Sequence, residues 1–222
     1  MDRNGIARRI LKIARRLVSS EEKVIHAYKL MKVDKDGKLH FPFADTGKWV
    51  RLGKWMEAED VSSIGSDGRK TTLVFRGGTK GRMAPRPGFH CGDYPYASHI
   101  GVGGTQQQHE FIGNEDVWCE CTLKAEIDYQ PEADANGRTP SGRINRQKAD
   151  IRDHVPVDGT YRYKTNPTMK GTWIIGGTMR IDRIMYDDEV RSITDVQGFK
   201  PMPREGGDKP REWTDWLNEV NK

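Results

Sequence analysis

The chain has 222 residues, enough to bury a sizeable core without disulfide bonds or a structural metal. Its residues are 35% hydrophobic and 31% charged, with no run of 18 apolar residues and no uninterrupted apolar segment at the N-terminus, so we expect neither a membrane span nor a signal peptide. The odd number of cysteines, Cys91, Cys119 and Cys121, makes reduced thiols and a cytosolic setting the default expectation.

A basic amphipathic helix is predicted for residues 1–22. Residues 1–20 contain six Lys or Arg residues against Asp2 alone, so this segment carries +5, which equals the formal net charge of the whole chain. Four aliphatic residues share one helical face: Ile6, Ile10, Ile13 and Leu17. The basic residues expected to contact a partner are Arg8, Arg9, Lys12, Arg15 and Arg16. Such a helix binds nucleic acid, an acidic protein or a membrane surface, unless its apolar stripe packs on the domain and its arginines are only solvated.

Residues 23–43 are predicted to form a β-hairpin. The β-rich segment "KVIHAYKLMKV" is followed by the turn "DKDGK" and a returning segment "KLHFPF". Asp34 and Asp36 resemble part of a calcium loop, but the further ligands of that loop are missing, so a structural turn is expected. Beyond the hairpin, we expect Trp49 and Trp55 to anchor a short element against the core, and "TTLVF" to form a strand.

The stretch "RPGFHCGDYPYASHIG" is the densest in chemically active residues. It predicts a strand ending at His90 and a short helix with Asp93 as N-cap, Pro95 in its first turn and Gly101 at its end. His90 and Cys91 point to opposite faces of the strand, so they cannot both ligate one ion, and no metal is expected. Cys91 is either a nucleophile before a helix N-terminus or a small buried side chain.

The second half of the chain continues with strands. "VWCECTLKAEIDY" predicts a strand in which Cys119 and Cys121 share a face, and residues 130–159 are polar and rich in turn-forming residues. "GTYRYKT" and "TWIIGGTMRIDRIMY" predict further strands, the latter broken at Gly176 and Gly177. After a segment of linker composition, a last helix carries an apolar face that we expect to dock on the body: Trp213, Trp216, Leu217 and Val220. The fold class is therefore α+β with mainly antiparallel strands.

The order of these elements resembles the ADP-ribosyltransferase fold, in particular the version found in polyvalent proteins of phages and mobile elements. The segments that carry the resemblance are "HAYKLM", "PGFHCGDYPYASHIG", "VWCECTLKAEIDYQ" and "GTYRYKTNPTMKGTWIIGGTMRIDRIM". It implies a split-sheet domain over residues 23–195, between the basic helix and a linker with a C-terminal helix at 196–222. It also implies a phage or prophage source, with the protein in the cytoplasm of the bacterial host or associated with the virion.

The resemblance further implies NAD or a related nucleotide as the ligand. Tyr28 and Lys29 match the first-strand position that usually carries Arg or His, and His90 matches the second-strand motif, so these three are the expected catalytic residues. The residues expected to bind the nucleotide are His26, Tyr94 and Tyr96.

One part of the family pattern is missing. The catalytic glutamate of the family should lie in "YKTNPTMKG", where this sequence has no carboxylate, so the activity is expected to be degenerate unless another carboxylate replaces it. The remaining candidates are Glu120, Glu126 and Asp182. The alternative is a non-enzymatic phage accessory or virion-associated protein that binds nucleic acid or an assembly partner through its basic N-terminal helix.

Overall fold

The computed structural model describes residues 23–43, 47–60, 62–64, 70–76, 79–83, 87–100, 109–151, 155–164 and 170–222. The predicted basic helix and the five cations expected to contact a partner lie outside these residues. In the part of the chain that the structure describes, no helix has the length and apolar character needed to cross a bilayer.

The described residues contain twelve strands and three helices. The strands are β1 (Val24–Val33), β2 (Leu39–His40), β3 (Trp55–Glu57), β4 (Ser62–Ile64), β5 (Lys70–Arg76), β6 (Thr79–Met83), β7 (Phe89–Gly92), β8 (Asp116–Lys124), β9 (Ile127–Asp128), β10 (Gly159–Tyr163), β11 (Trp173–Gly176) and β12 (Thr178–Ile184). The helices are α1 (Gln130–Gly137), α2 (Asp187–Val196) and α3 (Arg211–Val220).

Most of these strands form one large sheet. Its order is β3-β12-β8-β1-β7-β11-β10-β9, and β2 pairs with the end of β1. All of its pairings are antiparallel except the one between β9 and β10. The strands β4, β5 and β6 form a second, antiparallel sheet. The prediction of an α+β class with mainly antiparallel strands is therefore confirmed.

The large sheet consists of two halves that meet between β1 and β7. β1 pairs with β8 at nine positions but with β7 at one position, Tyr28 opposite Gly92. Lys29 adds a side-chain link across the same junction, because its Nζ donates a hydrogen bond to the His90 carbonyl oxygen at 2.8 Å. One backbone pair and the Lys29 side chain thus link β1 to β7 at this point.

A hydrophobic core lies on each face of the large sheet. On one face, Cys91, Cys121 and Ile181 pack with Leu217 of α3. On the other face, strand side chains that include Trp118 and Ile175 form a core together with buried residues of α1 and α2. Because successive side chains of a strand point to opposite faces, both cores are built from the same strands.

Several predicted elements are confirmed. β1 and β2 form the predicted hairpin, and the Asp34 carboxylate closes its turn by accepting hydrogen bonds from the Asp36 and Lys38 backbone N–H groups, both at 2.9 Å. Cys119 and Cys121 share a buried face of β8. The predicted break falls between β11 and β12, and the C-terminal helix docks through Leu217, which is fully buried.

The prediction of a short helix after His90 is wrong for residues 93–100, the part of that segment that the structure describes. The Asp93 carboxylate does not cap a helix but accepts hydrogen bonds from the backbone N–H and the hydroxyl of Thr172, at 2.9 and 2.8 Å. Residues 93–100 form bends and turns instead, such as the one closed by the Ile100 N–H and the Ala97 carbonyl. A contact to a distant segment thus replaces the local cap.

Two further predictions need correction. Trp55 is not a core anchor, since it is 37% exposed and lies beneath the cations of Lys124 and Arg180. The segment of linker composition before α3 is attached to the body, because the Arg204 side chain is buried and paired with Asp187 at the start of α2. Composition alone does not reveal these contacts.

Candidate functional site

One lateral row of residues crosses six neighbouring strands of the large sheet. In order, the residues that lie opposite one another are Arg183, Glu120, Tyr28, Gly92, Trp173 and Tyr163. Directly paired residues project from the same face, so the side chains of this row lie on one face. We call it the Tyr28 face. At its centre Gly92 leaves room for the chain to turn, since a Cβ there would lie 2.7 Å from the Tyr94 carbonyl oxygen.

His90 also belongs to the Tyr28 face, because it lies two residues before Gly92 on β7. Its Nδ1 lies 3.1 Å from the Tyr163 hydroxyl oxygen, and the two rings meet edge to face. The side chains of Tyr28 and His90, both partly exposed, thus project from neighbouring strands on the same face. A shared face is one condition for the expected nucleotide site.

An ion-pair network occupies the other end of the row. The Arg183 guanidinium donates two hydrogen bonds to the Glu120 carboxylate, at 2.8 and 2.9 Å, and a third to Glu189 at 2.8 Å. The hydrogen bond to Glu120 is the main reason why the pKa of Arg183 is raised. Burial and then the charge of Glu120 raise the pKa of the Tyr28 phenol. A phenol that keeps its proton therefore lies beside the Glu120 side chain.

A bulge in β12 brings Arg183 into this network. The pairing of β12 with β8 shifts between Ile181 and Arg183, which leaves Asp182 as an extra residue. The Asp182 carboxylate accepts hydrogen bonds from the Thr122 hydroxyl and the Arg180 Nε, both at 2.6 Å. The bulge thereby allows both Asp182 and Arg183 to contact residues of the Tyr28 face.

Of the three carboxylates that the sequence offered, Glu120 is the one in the row. Glu126 is exposed in the turn after β8, and Asp182 is engaged by Thr122 and Arg180. Glu120 lies directly opposite Tyr28 on the neighbouring strand. It is therefore the carboxylate best placed to act together with Tyr28 and His90.

Lys29 does not join Tyr28 and His90 on this face. Its side chain is buried on the opposite face, where its charge acts on the buried thiols, and its Nζ also lies 5.6 Å from the centre of the Phe41 ring. The expected catalytic role of Lys29 therefore needs correction, since a lysine on the far face cannot touch a ligand of the Tyr28 face. Its contact to the His90 carbonyl makes it a link between strands.

Cys91 is a buried side chain on the face of the sheet opposite the Tyr28 face, where Lys29 also lies. The Cys121 thiol donates a hydrogen bond to the Cys91 sulfur at 3.6 Å, and the Cys91 thiol lies 3.5 Å from the Met179 sulfur. All three cysteines are free and buried. With no exposed surface, Cys91 does not fit a nucleophile that must contact a substrate.

The three expected nucleotide-binding residues occupy different places. His26 is exposed and lies opposite Thr122, two positions from Tyr28 on the same face. Tyr94 and Tyr96 follow β7, and both rings pack on Phe199. The centre of the Phe199 ring lies 5.4 Å from that of Tyr94 and 5.3 Å from that of Tyr96. The Lys170 Nζ lies 5.3 Å from the centre of the same Phe199 ring.

Four residues of this region were not predicted from the sequence: Tyr163, Trp173, Arg183 and Phe199. Strand pairing determines the positions of the first three. The alternation of the sequence assigns each of them to a face of its strand, but it does not show which residue lies opposite on the neighbouring strand. Phe199 lies in a segment whose composition is that of a linker, and no local pattern marks it as a contact of the two tyrosines.

Within the described residues, no group of three or more His, Cys, Asp and Glu side chains is arranged to hold a metal ion. Comparisons of the chain with protein-family models, with curated proteins and with solved structures find no match.

Proposed function

We propose that this chain is a phage-type, ADP-ribosyltransferase-like protein that binds NAD or a related nucleotide on the Tyr28 face. One observation carries the proposal: Tyr28 and His90 project from one face of neighbouring strands, beside the backbone pair that joins β1 to β7. Glu120, opposite Tyr28, adds a carboxylate that the sequence motif lacks. A phage source and a location in the bacterial cytoplasm or the virion rest on the resemblance and belong to the same proposal.

The side chains on and beside this face match the parts of a dinucleotide. A neutral phenol and an imidazole, from Tyr28 and His90, donate and accept hydrogen bonds with ribose hydroxyls. The partly exposed rings of Tyr94 and Tyr96 offer surfaces on which a planar base stacks. Arg183, at the edge of the row, is already paired with Glu120 and Glu189, so the proposal assigns it no contact with the diphosphate.

Glu120 decides whether binding leads to cleavage. Breaking the bond between nicotinamide and ribose develops positive charge on the ribose, which a carboxylate stabilises. Both oxygens of Glu120 already accept hydrogen bonds from Arg183, so the charge of this carboxylate is compensated within the protein. We therefore propose nucleotide binding as the function, with a catalytically degenerate site.

Calorimetric titration of the full chain with NAD tests this proposal. We expect Tyr28→Phe and His90→Ala each to weaken binding by at least about tenfold, since each variant removes a polar group that contacts the ligand. His40→Ala is the matched control, because His40 lies on β2 and bonds to Asp34 and the Lys48 carbonyl. The proposal fails if the wild-type chain does not bind millimolar NAD, or if His90→Ala and His40→Ala bind NAD equally well.

Release of nicotinamide from NAD tests the degenerate site separately. We expect no release by the wild-type chain above the rate in buffer. Release that Glu120→Gln abolishes would identify an active enzyme and overturn the degenerate assignment, while leaving NAD as the ligand.

A further inference from the structure

We infer that β4, β5 and β6 form a docking surface for double-stranded DNA, independent of the nucleotide site proposed above. These strands pair with one another in the order β4-β5-β6, and among the described strands none of the large sheet pairs with them. β5 and β6 pair at five positions and are connected by two residues, 77 and 78. They therefore form a narrow two-stranded ribbon with one further short strand at its side.

The sequence of this ribbon is basic and free of carboxylates. Residues 68–92 contain six Lys or Arg residues and no Asp or Glu, in a chain with 32 Asp and Glu among its 222 residues. Since residues 1–20 carry +5, this stretch +6 and the whole chain +5, the rest of the chain carries −6. The positive charge of the second stretch is thus a local feature and does not follow from the overall composition. Four of the six lie on the paired strands, namely Lys70, Arg76, Lys80 and Arg82, whereas Arg69 and Arg86 lie outside the residues that the structure describes.

The strand register distributes the basic positions along the ribbon. Lys80 lies opposite Phe75, and Arg82 lies opposite Leu73. Positions 80 and 82 are two residues apart on one strand, roughly 6.6 to 6.8 Å along its axis. A row of cations along an extended element is suited to following a phosphate backbone.

Double-stranded DNA fits these features better than other polyanions. A two-stranded ribbon fits the major groove of B-form DNA, which is about 12 Å wide, whereas the major groove of double-stranded RNA is deep and narrow. Hydroxyl-bearing residues, which commonly contact phosphates, occur on the same strands as Thr71, Thr72 and Thr79. Acidic proteins and anionic membranes respond to the same charge and are outcomes of the test.

Fluorescence anisotropy of a labelled, mixed-sequence DNA duplex with the full chain tests the inference at several salt concentrations. The double variant Lys80→Gln/Arg82→Gln removes two of the basic residues. We expect at least about tenfold weaker binding at about 0.1 M salt, and a fall of about 1.8 in the slope of log K against log salt, because each lost phosphate contact contributes about 0.9. The control Lys35→Gln/Lys54→Gln removes two exposed lysines outside the ribbon and should keep both the affinity and the slope.

The other outcomes decide between sources of binding. The inference is overturned if the wild-type chain does not bind duplex DNA, or if Lys80→Gln/Arg82→Gln binds it as the control does. It is also overturned if Arg8→Gln/Arg9→Gln, in the predicted N-terminal helix, abolishes binding that the ribbon variant keeps. Tighter ribbon-dependent binding to phosphatidylserine vesicles, polyglutamate or duplex RNA than to DNA would assign the surface to another partner.

Thermal unfolding and NAD titration of the same variants separate this inference from the proposed function. We expect the ribbon variant to unfold at the wild-type temperature and to bind NAD as the wild-type chain does. If Lys80→Gln/Arg82→Gln does not fold, the single variants Lys80→Gln and Arg82→Gln test the same two positions one at a time, each with an expected fall of about 0.9 in the salt slope.

Discussion

Tyr28 and Glu120 lie directly opposite each other on β1 and β8, on the face that also carries His90. Burial raises the pKa of the Tyr28 phenol above 10.0, the charge of Glu120 raises it further, and Arg183 acts in the opposite direction. The phenol therefore keeps its proton at neutral pH and can donate a hydrogen bond, while the neighbouring carboxylate can only accept one. This pair supplies both hydrogen-bonding functions within one row of the sheet.

Replacement of Glu120 by glutamine should lower the pKa of the Tyr28 phenol. The substitution removes a negative charge that opposes the phenolate and leaves the Arg183 cation, which favours it. The measurement is a titration of phenolate absorbance, with Tyr28 identified by the difference from the same chain carrying Tyr28→Phe. Glu110→Gln, at an exposed site, is the control and should leave the titration unchanged. An unaltered Tyr28 pKa in Glu120→Gln would contradict the pairing.

The same pKa predicts how stability depends on pH. The folded chain holds the Tyr28 proton more tightly than the unfolded chain does, so this contribution to stability is complete below pH 10.0 and is lost as the pH rises through the raised pKa. Denaturant unfolding measured below and above pH 10 should therefore show that the free energy of unfolding falls more with rising pH for the wild-type chain than for Tyr28→Phe. Equal falls would mean that Tyr28 does not carry the effect.

The three thiols should be unreactive while the chain is folded. Cys91, Cys119 and Cys121 have no exposed surface. Burial raises the pKa of the Cys119 thiol, and the hydrogen bond with Cys91, followed by burial, raises that of Cys121. An aromatic disulfide reagent should therefore label no thiol in the native chain and three in denaturant. Rapid labelling of Cys91 in the native chain would restore it as a candidate nucleophile.

The sequence predicted those parts of the fold that depend on local alternation. The apolar pattern of β1 and β8 and the shared face of Cys119 and Cys121 follow from the two-residue period of a strand. The helix α1 was not predicted because it is polar and buries Ala133 and Gly137 in place of an apolar stripe. Where the pattern is weak, the surrounding structure decides the conformation.

The candidate site depends on contacts that no local pattern contains. Asp93 is a good N-cap by sequence, yet its carboxylate bonds to Thr172, which is 79 residues away. The neighbour of Tyr28 is set by the register of β1 against β8, and a shift of one residue would have placed Glu120 on the other face. The sequence could therefore identify Tyr28 and His90 as candidates but could not choose among the carboxylates.

Lys29 should contribute to stability through both its buried stem and its ammonium group. Lys29→Met keeps most of the apolar volume and loses the hydrogen bond to the His90 carbonyl, whereas Lys29→Ala loses both. We expect Lys29→Ala to lower the free energy of unfolding by about 2 kcal/mol more than Lys29→Met, since burial of each methylene contributes roughly 0.8 kcal/mol. Urea unfolding of the two variants measures the difference. Equal losses would mean that the stem of Lys29 contributes nothing to the packing between the sheet halves.

Arg204 should be the most costly of the charged residues to remove outside the candidate site. Its side chain is 1% exposed, donates two hydrogen bonds to the Asp187 carboxylate at 2.9 and 2.8 Å, and also bonds the Gly113 carbonyl at 3.2 Å. Arg204→Ala leaves the Asp187 charge and buried carbonyl groups without this partner, and we expect a loss of about 3 kcal/mol in the free energy of unfolding.

Arg211 provides the matched control for Arg204. It pairs with Asp188, which neighbours Asp187 on α2, but the Arg211 and Asp188 side chains are both about half exposed. We expect Arg211→Ala to unfold at the same urea concentration as the wild-type chain, since water replaces the lost contact. If Arg204→Ala were as stable as Arg211→Ala, the segment before α3 would not be fixed to the body by this arginine.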